Sequence, residues 1–309
     1  MALLFRSSVD SAARWRGQLD RLVPGLAVRV WPDIGDPAEI DYALVWRPEP
    51  GLLASLPRLK LILSLGAGVD HILGDPELPP GIPIVRLIDP YLTDAMSEYV
   101  ALQVLRLHRQ DLDYQAQQRA RIWHERDQKN AAERPVGILG FGEIGQTAGR
   151  RLRALGFPVA GWSRRERNIE GFSTFAGPEG LSRLLARSEI LVCLLPLTEA
   201  TEGILCTRTF ALLPKGAGLV NAGRGGHLVE EDLIPALDIG QLSAAALDVF
   251  RDEPLPPEHP FWGHPRIILT PHIAGITNPR TGAPIIADTI RDFESGRPLS
   301  NRVDPAQGY

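Results

Sequence analysis

The run Val136-Gly137-Ile138-Leu139, followed at once by Gly140-Phe141-Gly142-Glu143-Ile144-Gly145, constrains the fold more than any other feature of the chain. A short apolar run, a glycine-rich turn and a helical stretch over residues 146–155, closed by Gly156, form the strand–turn–helix opening of a parallel α/β unit. The first glycine permits a tight turn, the second lets backbone approach a diphosphate, and the third allows close helix packing. The helix N-terminus favours an anion. A glycine turn that binds nothing has the same spacing, but the strand before it and the helix after it favour phosphate.

The same alternation of apolar runs and helical stretches fills the rest of the chain. Before the glycine loop, strands are predicted at 3–5, 26–31, 42–46, 59–65 and 83–87. From Pro135 onward six more are expected, at 136–139, 159–162, 190–195, 218–221, 244–249 and 267–270, which suits a doubly wound sheet. One long helix over 93–123, with Leu102, Leu105 and Leu112 among its apolar positions, is read as the carrier between domains. A last helix over 280–294 would return the chain to the first domain, placing the site in the cleft. A length of 309 residues suits two domains of about 150 each. The boundaries read here are 1–97 with 276–309 for a substrate domain, and 98–275 for a dinucleotide-binding domain.

Composition narrows the classes of partner. A net charge of −4, with 44% apolar and 23% charged residues, gives no basic surface for nucleic acid and no sign of disorder. The N-terminus has no long apolar stretch of a signal peptide. No segment approaches the roughly 20 apolar residues of a membrane span. The expectation is therefore a cytoplasmic protein without membrane or nucleic-acid partners. Cys193 and Cys206 lack metal-ligand spacing, as do His71, His108, His124, His227, His259 and His264, so no metal is expected.

The second strand of the glycine-loop domain ends in Trp162-Ser163-Arg164-Arg165. An acidic residue about 20 positions after such a loop normally holds the ribose hydroxyls of NAD. A hydroxyl followed by two guanidinium groups suits a 2′-phosphate instead, which points to NADPH as the preferred cofactor, with NADH possible. The other reading makes Arg164, Arg165 and Arg167 a solvated charged turn.

Three further segments carry chemistry. Arg224, in Asn221-Ala222-Gly223-Arg224-Gly225, follows an apolar run at the carboxyl end of a predicted strand, where open α/β sheets hold ligands. Its planar charged fork suits a carboxylate and a neighbouring carbonyl. A structural ion pair with Glu230 or Glu231 is the alternative. His272, in Pro271-His272-Ile273-Ala274-Gly275, follows another predicted strand, and Glu253 lies in the acidic turn Asp252-Glu253-Pro254. Ketone reduction needs a proton donor beside the hydride donor. A histidine serves near neutral pH, and an adjacent carboxylate would favour its imidazolium form and fix its ring.

Taken together, residues 140–145, 221–225, 248–256 and 271–275 resemble the D-2-hydroxyacid dehydrogenase family. Leu65-Gly66-Ala67-Gly68-Val69-Asp70, Ser173-Thr174-Phe175-Ala176-Gly177, Leu194-Leu195-Pro196-Leu197-Thr198 and the terminal Gly308-Tyr309 are similar to its glyoxylate/hydroxypyruvate reductase A subgroup. The resemblance implies two Rossmann-like α/β domains, with the doubly wound dinucleotide-binding domain inserted in a flavodoxin-like substrate domain. It makes Arg224 the substrate anchor, His272 the acid and Glu253 its partner. It also implies that N–H groups around Ala67 and Gly68 hold the substrate carboxylate, and that Asp248 meets the nicotinamide carboxamide. Gly140, Gly142, Glu143, Ile144, Gly145, Ser163, Arg164, Arg165, Leu195, Pro196, Leu197, Asn221, Ala222, Gly223, His272 and Ala274 complete the cofactor site. Trp46 either faces the substrate pocket, where its bulk would favour short acids, or sits in the core. Asp70 and His71 are read as a helix start.

The implied activity is NADPH-dependent reduction of a small 2-oxo acid, glyoxylate to glycolate or hydroxypyruvate to D-glycerate, by a homodimer joined through the cofactor domain. The alternatives are a bulkier 2-oxo acid and a non-catalytic dinucleotide-sensing protein. Glu253 argues against formate dehydrogenase, where that position resembles glutamine.

Overall fold

The computed structural model describes residues 1–305 and 308; the resemblance at Tyr309 therefore lies outside the described residues. The chain divides into two compact units, 1–92 with 276–309, and 93–275.

The first unit is built on five parallel strands. In chain order it runs β1 (Ala2–Arg6), α1 (Ala12–Leu22), β2 (Ala27–Val30), β3 (Ile40–Val45), β4 (Leu61–Ser64), α2 (Asp70–Leu73) and β5 (Ile84–Val85). The sheet order β2-β1-β3-β4-β5 is that of a flavodoxin-like fold. Both faces are covered, so the strands read as nearly continuous apolar runs rather than as alternating ones. Leu3 and Phe5 pack with Trp15 and Leu19 of α1, while Leu4 of the same strand packs on the opposite face with Leu52, Leu53 and Ile72.

The second unit contains α3 (Pro90–His108) from its second turn onward, α4 (Asp111–Ala120), β6 (Val136–Leu139), α5 (Glu143–Ala154), β7 (Val159–Ser163), β8 (Ser173–Ala176), α6 (Gly177–Leu185), β9 (Ile190–Cys193), α7 (Thr207–Leu212), β10 (Ala217–Asn221), α8 (Glu230–Asp238), β11 (Leu242–Leu247) and β12 (Ile267–Leu269). Its strands are all parallel in the order β12-β11-β10-β9-β6-β7-β8, so the winding reverses beside β6. Ile138, Val192 and Val220 face a core containing Val100 of α3 and Ala148 of α5. Leu139, Leu191 and Leu219 face another containing Leu184 of α6, Phe210 of α7 and Leu233 of α8. A final helix, α9 (Pro279–Glu294), belongs to the first unit and places Ala283, Ile286 and Ile290 beside Trp15.

Three differences from the sequence reading have local causes. The single helix expected over 93–123 is two helices, because Gln110 adopts a left-handed conformation at φ 57° and Asp111 starts α4. The Asp111 carboxylate accepts from Arg106 Nε at 2.7 Å and from Gln115 Nε2 at 2.8 Å. Arg121, also left-handed, ends α4, so Trp123 lies beyond it, and Leu102 is exposed rather than a core position. A seventh strand, β8, was not read from the sequence; it is an edge strand with no fully buried residue, and so lacks the apolar run that marks the others. The unit division falls five residues before the boundary read at 97/98, because Met96, Tyr99, Val100 and Val104 of α3 pack into the second unit's core.

Among the described residues no helix is long and apolar enough to cross a membrane. Cys193 is buried in β9, where desolvation pushes its thiol up to about 12, which makes it a packing residue.

Candidate active site

The carboxyl ends of the strands in the second unit collect the chemistry in strand order. After β12 comes His272, after β11 Asp248, after β10 Arg224, after β9 residues 195–197, after β6 the glycine loop and at the end of β7 Ser163-Arg164-Arg165. The reversal of winding between β9 and β6 is the point at which such sheets bind dinucleotides.

At the glycine loop each glycine answers a different constraint. Gly140 has φ 91°, and a Cβ there would stand 2.6 Å from the Leu194 carbonyl oxygen. A Cβ on Gly145 would stand 2.2 Å from the Gly140 oxygen, so α5 packs too close for any side chain. A Cβ on Gly142 would meet nothing within 4 Å. Its openness at the start of the 12-residue α5 leaves room for a diphosphate over the first-turn N–H groups of Glu143, Ile144 and Gly145, which have no acceptor inside the helix. These residues fit a dinucleotide. Ser163 closes β7 with its hydroxyl donating to the Arg165 carbonyl at 3.0 Å, and Arg164 and Arg165 are exposed.

The arginine loop is braced on both sides. Asn221, fully buried, donates from Nδ2 to the Arg224 carbonyl at 3.0 Å and accepts at Oδ1 from the Gly223 N–H at 3.2 Å. The Arg224 guanidinium donates from Nη1 to the Gly223 carbonyl at 2.8 Å, and the side chain is half-buried. A Cβ on Gly225 would lie 1.9 Å from the carbonyl carbon of Phe250, so this loop rests directly on the backbone that leads to Glu253.

His272 and Glu253, 19 residues apart in sequence, are paired: His272 Nδ1 lies 2.8 Å from Glu253 Oε2. The other carboxylate oxygen accepts from the Phe250 N–H at 2.9 Å. Nδ1–H thus donates to a carboxylate that is itself held in place, which fixes the orientation of the ring. Both side chains are only partly accessible, 24% for His272 and 12% for Glu253, so the pair is shielded but reachable.

The turn that carries His272 is held by Asp248. The Asp248 backbone carbonyl accepts the His272 N–H at 2.8 Å. Its carboxylate accepts from the Thr270 hydroxyl at 2.6 Å and the N–H groups of Ile273 at 2.9 Å and Ala274 at 2.8 Å. Burial pushes the Asp248 carboxyl above the usual range, and these donors and the neighbouring His272 oppose that shift. His272 itself sits at φ 54°, a left-handed conformation that this network secures. Tyr99, from α3, adds its hydroxyl 2.7 Å from that of Thr270.

Sequence reasoning singled out His272, Glu253 and Arg224, of which the structure pairs the first two, and did not single out Tyr99 or Thr270. The motif Thr270-Pro271-His272 held a clue in the threonine; Tyr99 had no local signal, being 171 positions from its partner.

Trp46, Ala67 and Gly68 belong to the first unit, at the carboxyl ends of β3 and β4. Trp46 is half-buried, with its ring centroid 4.4 Å from that of His71. A Cβ on Gly66 would stand 2.8 Å from the indole, so ring and loop are in direct contact. The loop is held by the Thr277 hydroxyl donating to the Leu65 carbonyl at 2.6 Å and by the Ser64 hydroxyl donating to the Gly68 carbonyl at 3.2 Å. Asp70 and His71 open α2.

The family model of the NAD binding domain of D-isomer specific 2-hydroxyacid dehydrogenases matches residues 101–274. A glyoxylate/hydroxypyruvate reductase A from Serratia proteamaculans is 43% identical over the full length of both chains. Among solved structures, a D-isomer specific 2-hydroxyacid dehydrogenase from Xanthobacter autotrophicus Py2, in complex with NADPH and MES, is 44% identical with a TM-score of 0.94, covering 100% of this chain and 99% of that one. An NADPH-dependent glyoxylate/hydroxypyruvate reductase from Sinorhizobium meliloti, in complex with NADP and sulfate, is 41% identical with a TM-score of 0.92 and covers all of both chains.

Proposed function

The chain belongs to the D-isomer specific 2-hydroxyacid dehydrogenase family, and from that premise we propose that it reduces glyoxylate and hydroxypyruvate with NADPH. The observation that carries this reading is the 2.8 Å His272–Glu253 pair on the same sheet edge as Arg224 and the glycine loop. Support for the substrate class comes from the reductase A relative, and support for the cofactor from the NADPH and NADP complexes of the two structural relatives.

When bound, the nicotinamide cofactor supplies the hydride that reaches C2 of the acid. Arg224 anchors the carboxylate and polarises the carbonyl. His272 gives the proton at Nε2 to the carbonyl oxygen, completing the hydroxyl, while Glu253 keeps Nδ1 occupied and the ring aimed. Asp248 holds the turn beneath the ring and is also the reading for the carboxamide contact. Gly140, Gly142, Glu143, Ile144 and Gly145 bind the diphosphate, and Leu195, Pro196, Leu197, Asn221, Ala222, Gly223 and Ala274 line the rest of the cofactor site. We assign Ala67 and Gly68 to the substrate carboxylate through their N–H groups, and Trp46 to limiting substrate length.

The test is the initial rate of NADPH and NADH oxidation with glyoxylate, hydroxypyruvate, pyruvate and phenylpyruvate. Fast turnover of the first two with NADPH is expected; absence of turnover with every acid would sink the reading. In the same assay, Arg164→Ala with Arg165→Ala should weaken NADPH while leaving NADH nearly unchanged, because only the 2′-phosphate needs a cationic fork. Equal losses for the two cofactors would remove the arginines from that role.

A homodimer through the second unit and a cytoplasmic location are part of the same reading. Leu102, Tyr114, Ile122 and Trp123, the last 97% exposed, give that unit large apolar side chains in search of a partner. A monomer mass in sedimentation equilibrium would refute the dimer.

A further inference from the structure

His227 is the one imidazole in the second unit with no accessible surface, and nothing in the chemistry above uses it. It lies three residues after Arg224. The Arg224 N–H donates to His227 Nδ1 at 3.0 Å, and Nε2 lies 3.2 Å from the Pro196 carbonyl oxygen. An N–H pointing at Nδ1 requires a lone pair there, so the proton is on Nε2 and is donated to Pro196. The Arg224 carbonyl, 3.1 Å from Nδ1, needs no proton from it, since it already accepts from Asn221 Nδ2 and from the His227 N–H at 3.2 Å.

The ring also fits tightly against the loop that it holds. A Cβ on Gly223 would stand 2.9 Å from His227 Nδ1, and one on Gly226 would stand 3.0 Å from Leu197. The His227 carbonyl accepts the Leu205 N–H at 2.8 Å, which fixes the ring's own backbone.

We propose that His227 is a positioning residue for Arg224, holding the arginine-loop backbone through Nδ1 while Nε2–H ties that loop to residues 195–197. The inference rests on the reading of Arg224 as the substrate anchor. The two ends of the ring are unequal. The Pro196 carbonyl keeps a second donor, the Thr201 hydroxyl at 2.7 Å, if Nε2 is lost. Losing Nδ1 takes from the Arg224 N–H the acceptor it has in this structure, in a site where an unmet donor is costly.

Two amides separate these roles. In His227→Asn the side-chain oxygen can take the place of Nδ1 but the amide does not reach Pro196. In His227→Gln the amide reaches the place of Nε2 but leaves Nδ1 without a substitute. Steady-state rates, NADPH affinity by fluorescence and thermal melting are measured for both. For His227→Gln, KM for glyoxylate is expected to rise about tenfold, the scale of one buried donor left unmet, with NADPH affinity unchanged. His227→Asn is expected to restore KM to within about threefold.

Equal KM changes in the two variants, or an unchanged KM in His227→Gln, would overturn the proposal and leave the ring as packing. A uniform fall in kcat, NADPH affinity and melting temperature would do the same. Nitrogen-15 spectra of the wild-type imidazole test the premise without turnover: a proton on Nδ1 would refute it. Wild-type enzyme that reduces no 2-oxo acid but keeps the Nε2–H tautomer would defeat the assigned activity alone, and faster exchange of the Arg224 amide in His227→Gln than in His227→Asn would still support the tether.

Discussion

Replacing His272 by alanine should lower kcat for glyoxylate by about 10²- to 10⁴-fold, the range spanned by loss of a positioned general acid. In the structure Nδ1 is committed to Glu253 Oε2 at 2.8 Å, and Glu253 is fixed by the Phe250 N–H. On the proposed reading the proton comes from Nε2, and His227, fully buried and engaged with Arg224 and Pro196, is not placed to replace it. NADPH affinity should change little, because the residues proposed for the diphosphate and the 2′-phosphate lie elsewhere on the sheet edge.

A control separates chemistry from backbone strain. His272 has φ 54°, where asparagine is better tolerated than alanine. If the alanine variant failed only because the turn relaxed, His272→Asn would retain most of the rate. Should both variants instead keep kcat within about threefold of wild type, far from the scale of acid loss, His272 would have no part in proton transfer.

Much of this site was legible in the sequence because its parts are local. The glycine loop declares itself through the order of apolar run, turn and helix. Gly140 and Gly145 are enforced by backbone packing, while Gly142 faces open space. The flavodoxin-like and doubly wound sheets follow from apolar runs at nearly every strand. What escaped notice depends on contacts between distant segments. Tyr99 reaches Thr270 across 171 positions, and His227 reaches Pro196 across 31. His227 was set aside for lacking metal-ligand spacing, yet its function in the fold is that of a hydrogen-bonded strut, for which no spacing exists. β8 was invisible for the opposite reason, since an edge strand that buries little carries no apolar signature. The break between α3 and α4 was hidden because Gln110 is an ordinary helix former forced into a left-handed conformation.

Substituting Arg224 by lysine should lower kcat/KM for glyoxylate by about 10²- to 10³-fold, comparable with removal of one preorganised donor at a developing oxyanion. Charge alone is kept by this change, so the prediction isolates the fork. A guanidinium presents donors in one plane and can serve a carboxylate and the adjacent carbonyl oxygen together, whereas an ammonium is a flexible point charge. In the structure Nη1 is tied to the Gly223 carbonyl at 2.8 Å, and the backbone is braced by Asn221 and His227. Lysine would inherit the bracing but not the second donor. The loss should therefore appear in kcat as well as KM, because the carbonyl contact strengthens as charge builds on oxygen, while the carboxylate contact is the same before and during reduction. A variant in which only KM rises would assign Arg224 to binding alone. One with kcat/KM within about threefold of wild type, against the hundredfold or greater loss of a transition-state donor, would show that the anchor lies elsewhere.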